Sequence, residues 1–159
     1  MLIEIQVVYI QLDEIDYHHK GQYLVIGGYA LALHGHPRYT KDIDIWVDIG
    51  EKNAERIIQV LSDFGFASVA VDKNDFLSSG NIVQLGFPPN RIDILTSADG
   101  IVFSECIQNA QIVNLDGTEV RFIDVANLIK NKQTSGRLQD LADVEAIQRV
   151  LEENSKSEK

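Results

Sequence analysis

Cysteine is nearly absent from this chain, and proline and long apolar runs are scarce as well. The single cysteine, Cys106, excludes a disulfide within the chain and a zinc site built from cysteines. No stretch rich in proline, glycine or serine marks a linker between domains, and no apolar run approaches the roughly 20 residues of a membrane span. We expect one domain over residues 1–151, a frayed polar tail over residues 152–159 and a cytoplasmic location, since Glu4 stands where a secretory signal would be basic.

Basic residues are few compared with acidic ones. The 159-residue chain has 14 lysines and arginines against 24 aspartates and glutamates, which gives a net charge of −10. Proteins that bind nucleic acids in general are usually basic, because neutralising phosphates drives that affinity. The charge therefore argues against general DNA binding and favours a small substrate such as a nucleotide with Mg²⁺, although a tRNA end is not excluded. The hydrophobic fraction of 45% indicates a folded chain with a core.

The apolar patterning predicts an α+β fold, a small mixed β-sheet with helices packed on it. The predicted strands are Tyr23–Ile26, Asp42–Val47, Asn81–Leu85, Arg91–Leu95, Gln111–Leu115 and Thr118–Phe122. The predicted helices are Val7–His19, Gly28–His34, Asn53–Phe64, Phe103–Asn109, one that Asp124 caps and that ends at Lys130 or Lys132, and Arg137–Leu151. Hairpins are expected around Pro88-Pro89 and at Asp116-Gly117.

Three carboxylates carry the chemistry. Asp42 and Asp44 alternate with isoleucines on one predicted strand, so both side chains lie on the same face. Asp93 has the same apolar flanks on a later strand, and it converges with the first two if the strands are neighbours. Mg²⁺ prefers hard oxygen ligands such as these. The pattern predicts that Asp42, Asp44 and Asp93 bind one or two Mg²⁺ ions, and a third carboxylate is also placed to accept a proton.

A glycine pair, Gly27-Gly28, ends the first strand and opens a helix. Glycine lets the backbone approach a phosphate, and a helix start offers free N–H donors. Arg38, Thr40 and Lys41 precede the aspartate strand and are candidates to orient the phosphates. Lys130 and Lys132, in a later helix, are candidates to neutralise a leaving pyrophosphate.

Simpler interpretations of the same residues stay open. Lys130 and Lys132 near a helix C-terminus could only complement the helix dipole. His34 and His36 lie beside the site, but histidines in loops are more often solvated than metal-bound, and their role stays open. Arg137 could form an ion pair on the helix surface with Asp140 or Asp143.

These motifs together resemble the nucleotidyltransferase superfamily, which has the fold of DNA polymerase β. Residues 27–44 are similar to Gly-Gly-x-Ala-x-x-x-His-Gly-x-x-Arg-x-Thr-x-Asp-Ile-Asp, a hallmark of the small bacterial AbiEii-type toxins and related nucleotidyltransferases. The stretch Lys130–Asp143 also resembles that group, and the similarity runs from about Tyr23 to Val150.

The resemblance implies Mg²⁺-dependent transfer of a nucleoside monophosphate from an NTP to a hydroxyl, with release of pyrophosphate. Asp42 and Asp44 would bind metal, and Asp93 would complete the metal site or act as the base. The Gly27-Gly28 backbone and the Thr40 hydroxyl would contact phosphate. Relatives modify small molecules, proteins or tRNA ends, so each of these is a candidate acceptor.

Two alternatives accompany this prediction. One is a toxin–antitoxin component of the same fold, held inactive by an antitoxin protein. The other is a catalytically quiet module that binds nucleotides or partners. A homodimer is considered as well, because a small domain with a half-open cleft can take one wall of the cleft from a neighbour.

Overall fold

A mixed sheet forms the centre of the molecule. The computed structural model describes residues 22–66 and 69–157, and the helix predicted for Val7–His19 lies outside these ranges. Within them, six strands form one sheet in the order β3-β4-β2-β1-β6-β5. The elements along the chain are β1 Tyr23–Ile26, α1 Gly27–Leu33, β2 Asp42–Val47, α2 Glu51–Asp63, β3 Ile82–Leu85, β4 Arg91–Leu95, α3 Phe103–Cys106, β5 Gln111–Leu115, β6 Thr118–Phe122, α4 Val125–Ser135 and α5 Leu138–Ser157. Two 3-10 turns, Lys73–Phe76 and Ile107–Asn109, complete the described elements.

The pairing of the strands mixes both directions. β2 is antiparallel to β1 and parallel to β4, while β3–β4 and β5–β6 are antiparallel hairpins. β1 also runs parallel to β6, where Val25 is opposite Phe122. The β2–β4 pair needs a long crossover, which α2 and the following 3-10 turn supply. The predicted α+β fold with a small mixed sheet is thereby confirmed.

β1 lies in the middle of the sheet and is buried throughout. Its four residues have no more than 5% of their surface exposed, which explains why its sequence is a continuous apolar run instead of an alternating one. Trp46 at the end of β2 packs edge-to-face on Phe103, with ring centroids 5.1 Å apart. Helix α2 adds Ala54 and Ile57 to the same core. The apolar core thus holds β2 rigidly from behind and leaves its two aspartates on the other face.

Three helix ends differ from the prediction by three residues or more. The segment after Val102 divides into α3 and a 3-10 turn. Helix α4 passes Lys132 and ends at Ser135, because Gly136 adopts the left-handed conformation (φ 66°) that stops a helix. Helix α5 continues beyond Leu151 to Ser157, with residues 152–157 helical and exposed. Apolar periodicity could not show this last extension, because the added turns are exposed and rest on good helix formers such as Glu153 and Lys156.

Two capping and turn predictions are confirmed. The Asp124 side chain accepts a hydrogen bond from the Asn127 backbone at the start of α4. Asp116 and Gly117 both have positive φ, 53° and 95°, in the β5–β6 hairpin. None of the helices in residues 22–66 and 69–157 is both long and apolar enough to cross a membrane.

Candidate active site

A cavity of about 650 Å³ opens on the sheet face that carries the aspartates. This volume lies within the range of pockets that hold small ligands and cofactors, roughly 300–1,000 Å³. The walls come from the β1–α1 turn, the segment before β2, strands β2 and β4, the loop after β4, and the α4–α5 junction. The predicted site residues among the lining are Gly27, Gly28, Arg38, Thr40, Asp42, Asp44, Asp93 and Lys132. One cavity therefore gathers segments that are far apart in the sequence.

The register of β2 and β4 brings the three carboxylates together. Asp44 is directly opposite Asp93, and Asp42 is directly opposite Arg91. Side chains two residues apart on a strand share a face, so these four charged side chains form a square on the cavity floor. The sequence predicted Asp93 beside Asp44 only on the condition that the strands are neighbours, and the sheet order fulfils that condition.

The Asp44 carboxyl group has the most unusual electrostatic environment of the site. Burial, followed by the charges of Asp42 and Asp93, raises its pKa from 3.8 to about 6, against weaker lowering by Lys132 and Arg137. Since carboxylates repel one another, removing them from water together favours a protonated form. Within the described residues no hydrogen bond reaches the Asp44 carboxylate. A divalent cation would relieve this accumulation of negative charge.

Arg91 partly neutralises the negative charge of the other two carboxylates, Asp42 and Asp93. Its guanidinium donates to both oxygens of Asp93, at 2.8 and 2.9 Å, and to Oδ2 of Asp42. Asp93 is buried, with 7% of its surface exposed, and Gln84 from β3 lies 3.5 Å from it. The arginine therefore lies between two of the three predicted metal ligands.

The donor set agrees with a hard divalent cation in its chemistry but not in its present arrangement. Three carboxylates on one face supply only oxygen donors, as Mg²⁺ requires. As they stand, however, no group of three His, Cys, Asp or Glu side chains in residues 22–66 and 69–157 is placed to hold a metal ion. In the present arrangement the guanidinium of Arg91 donates hydrogen bonds to both Asp42 and Asp93.

The glycine turn shapes the wall beside Asp44. Gly27 has a positive φ of 65°, and a Cβ built on it would lie 2.1 Å from Oδ2 of Asp44. A Cβ on Gly28 would lie 3.0 Å from the Thr40 side chain. The hydroxyl of Thr40 in turn lies 3.2 Å from the backbone oxygen of Asp42. Gly27 is thus needed for the backbone to pass this close to Asp44, and at Gly28 a side chain would crowd Thr40.

A second charged cluster closes the opposite wall. Lys132, only 4% exposed, donates to Asp140 at 2.7 Å and to Asp143 at 2.8 Å. Arg38 forms a two-pronged pair with Asp143, with both N–O distances 2.8 Å. Burial raises the pKa of Asp143, but hydrogen bonds from Arg38, Lys132 and Gln139 outweigh burial and lower the pKa to about 2. The cluster fixes Arg38, and with it the segment before β2, to helix α5.

Lys130 and Lys132 occupy different environments. Lys130 is exposed and is not part of the cavity wall. Lys132 lines the cavity, but its ammonium group is buried between Asp140 and Asp143. A salt bridge between Arg137 and Asp140, one of the two pairs considered from the sequence, is present at 2.8 Å.

His34 has a structural partner. Its Nε2 lies 2.8 Å from the Ile123 carbonyl oxygen, which joins the end of α1 to the segment after β6. His36 is half-buried. Neither histidine lines the cavity.

Several cavity residues were not among the predicted site residues. Arg91 could have been found, because it lies two residues from Asp93 and so on the same strand face. Arg137 and Gln139 lie at the α4–α5 junction and line the cavity. Nothing in the sequence shows on which side of that junction the cavity lies, since this depends on how α5 packs.

This chain resembles a known protein in structure but matches none in the sequence comparisons. The sequence matches no protein-family model and no curated protein. A crystal structure from Thermotoga maritima, named as a candidate nucleotidyltransferase, superimposes with a TM-score of 0.57 and 20% sequence identity. The match covers 94% of this chain and 92% of the other. This chain shares its fold. At such identity the likeness establishes the fold, and the narrower resemblance to AbiEii-type proteins stays a prediction.

Proposed function

We propose that this protein is a metal-dependent nucleotidyltransferase. One observation carries the proposal: parallel pairing sets Asp44 opposite Asp93, with Asp42 beside them, on the floor of a cavity whose adjoining wall is the Gly27-Gly28 turn. The fold shared with the Thermotoga maritima protein supports the same general activity. Three carboxylates beside a tight glycine turn are what a metal–triphosphate complex requires.

In this proposal Asp42, Asp44 and Asp93 hold Mg²⁺, as one or two ions. Bound there, Mg²⁺ would neutralise phosphate charge and polarise the α-phosphate of an NTP. The raised pKa of Asp44 supports a cation at this place, because the excess negative charge that raises the pKa would favour binding of positive charge.

The reaction is displacement at phosphorus. The acceptor hydroxyl oxygen attacks the α-phosphorus, the bond from that phosphorus to the bridging oxygen breaks, and pyrophosphate leaves with the bond electrons. The hydroxyl proton passes to a carboxylate, and we assign this role to Asp93, which is buried on the cavity floor. Positioning and charge complementarity supply most of the catalysis in such transfers.

The phosphate contacts follow from the cavity walls. Gly27 and Gly28 let the backbone approach the phosphates, and the Thr40 hydroxyl lies next to Gly28. Arg38 presents its guanidinium from the opposite wall while Asp143 holds it in place. For Lys132 we propose a structural role in the cavity wall, since both of its ion-pair partners are buried acids. A phosphate role for Lys130 stays a prediction.

Binding of each NTP to purified protein tests the proposal. With Mg²⁺ or Mn²⁺ present, at least one NTP should bind, and Asp42→Asn should weaken that binding at least about tenfold, because it removes a charged ligand. Glu119→Gln, an exposed change on β6, should leave it unchanged. Absence of metal-dependent binding for every NTP would contradict the proposal.

Product formation separates an enzyme from a quiet binding module. Transfer of label from an α-labelled NTP, with pyrophosphate release, to a small molecule, a protein or a tRNA end would identify the acceptor class. Binding without transfer to any of these would favour the quiet module. That alternative has one observation in its favour, namely that Arg91 already neutralises two of the three carboxylates. A toxin role would show as growth arrest that Asp42→Asn abolishes.

A further inference from the structure

Arg91 combines an unusual position with a small set of partners. It lies opposite Asp42 in the β2–β4 register and two residues from Asp93 on the same strand face. All of its side-chain hydrogen bonds in the described part of the chain go to these two carboxylates. Its side chain is 27% exposed and lines the cavity. The guanidinium is therefore reachable by a ligand that enters the cavity.

The contacts of Arg91 use the oxygens that a metal would need. Both oxygens of Asp93 and one oxygen of Asp42 accept hydrogen bonds from the same guanidinium. Mg²⁺ binds its oxygens at about 2.0–2.1 Å in a strict octahedral geometry. A guanidinium kept in its present place would lie a few ångströms from that ion and would repel it. The arginine and the metal thus compete for Asp42 and Asp93.

The other cations of the cavity are not in this situation. Arg38 and Lys132 are paired with Asp143, and Lys132 and Arg137 with Asp140. Those two acids lie on α5 and are not candidate metal ligands. A metal that binds at Asp42, Asp44 and Asp93 therefore leaves these three cations with their partners and competes with Arg91 alone.

We propose that Arg91 changes partners during the binding cycle. In the metal-free protein it is the counter-ion of Asp42 and Asp93, and after metal binding its guanidinium turns to the phosphates of the incoming nucleotide. A planar guanidinium suits a phosphate as well as it suits a carboxylate, because both accept two parallel hydrogen bonds. This inference rests on the proposed nucleotidyltransferase function and adds a residue to the nucleotide site.

The test is that one variant should change the affinities for the metal and for the nucleotide in opposite directions. Arg91→Gln removes the competitor, so Mn²⁺ alone should bind on the order of tenfold more tightly, the effect of one charge-assisted hydrogen bond. The same variant should bind an α,β-methylene NTP with saturating Mg²⁺ on the order of tenfold more weakly, since a phosphate contact is lost. Calorimetry measures both. The nucleotide probe is whichever of the four analogues binds wild type best.

Two further variants sharpen the result. Arg91→Lys keeps the charge but loses the planar two-pronged pair with Asp93, so Mn²⁺ affinity should still rise, by less than in Arg91→Gln. If the Lys variant binds Mn²⁺ as wild type does, the effect is one of nearby charge and the partner exchange is refuted. Arg149→Gln, an exposed arginine on α5 paired only with Glu145 in the described residues, should change neither affinity.

A measurement on wild type avoids any folding defect of a variant. The Nε–H resonance of Arg91, assigned by its loss in Arg91→Lys, should shift and exchange faster with water when Mg²⁺ is added. It should become protected again when the NTP analogue follows. A resonance that stays unchanged through both additions would overturn the proposal.

The outcomes separate this inference from the proposed function. If neither wild type nor Arg91→Gln binds Mn²⁺ or any analogue, the nucleotidyltransferase proposal itself fails. If wild type binds both ligands and Arg91→Gln weakens both or changes neither, the partner exchange fails and the proposed function stands.

Discussion

Replacing Asp44 with asparagine should stabilise the metal-free protein at neutral pH, although it removes a residue from the candidate site. In the folded state burial, followed by the charges of Asp42 and Asp93, raises the pKa of Asp44 from 3.8 to about 6. The folded protein therefore binds this proton more tightly than the unfolded chain does. Stability falls as the pH rises through this window, and above about pH 6 the full cost of ionising Asp44 is present.

The two pKa values set the size of the effect. Their difference, from 3.8 to about 6, is a little over two pH units, and one unit corresponds to about 1.4 kcal/mol. The Asp44→Asn variant lacks this cost, so its free energy of unfolding should exceed that of wild type by about 3 kcal/mol at pH 8. At pH 4.5 the same linkage leaves a difference of only about 1 kcal/mol.

Urea unfolding in EDTA at the two pH values measures this difference. Glu119→Gln serves as the control, because it removes an exposed carboxylate on β6 and should change stability little at either pH. A less stable Asp44→Asn protein at pH 8, or a stability difference that does not depend on pH, would refute the reasoning. With Mg²⁺ at 100 times its Kd the difference at pH 8 should nearly disappear, because wild type gains about 2.7 kcal/mol by binding and the variant lacks one ligand.

Three further changes test other parts of the structure. Gly27→Ala should weaken Mn²⁺ binding more than Gly117→Ala, measured by calorimetry, because both glycines have positive φ but only at position 27 does a new Cβ meet Asp44. Asp143→Ala removes a buried carboxylate shared by two cations and should lower the free energy of unfolding in urea by about 3 kcal/mol. Asp124→Ala removes the N-cap of α4 and should lower it by about 1 kcal/mol.

The sequence predicted the strands well because their patterns are local. Asp42–Val47 alternates at its start, and Tyr23–Ile26 is continuously apolar, as a central strand should be. The convergence of Asp93 with Asp44 depended on the sheet order, which no local pattern states. From the sequence, this convergence could be predicted only on the condition that the two strands are neighbours. The apolar residues on both sides of Asp93 place its side chain on the opposite face of the strand from theirs, but they do not say which strand lies next to it.

The charged wall could not be predicted in the same way. In the sequence, Lys132 is typical of a basic residue near a helix C-terminus, where lysines commonly complement the helix dipole. Its burial results from the turn at Gly136, which folds α5 back so that Asp140 and Asp143 face α4. That geometry depends on the packing between two helices, and periodicity within each helix does not report it.

The pairing of Arg38 with Asp143 also has a consequence for biosynthesis. The two residues are 105 positions apart, and the chain is made from its N-terminus. A nascent chain can pair β1 with β2 and later add β4, which brings Asp42, Asp44 and Asp93 together, before Asp143 has left the ribosome. The carboxylate floor is then complete while Arg38 and Lys132 still lack their shared partner. Arg38, to which we assign phosphate binding, is thus the last part of the site to be fixed in place during synthesis.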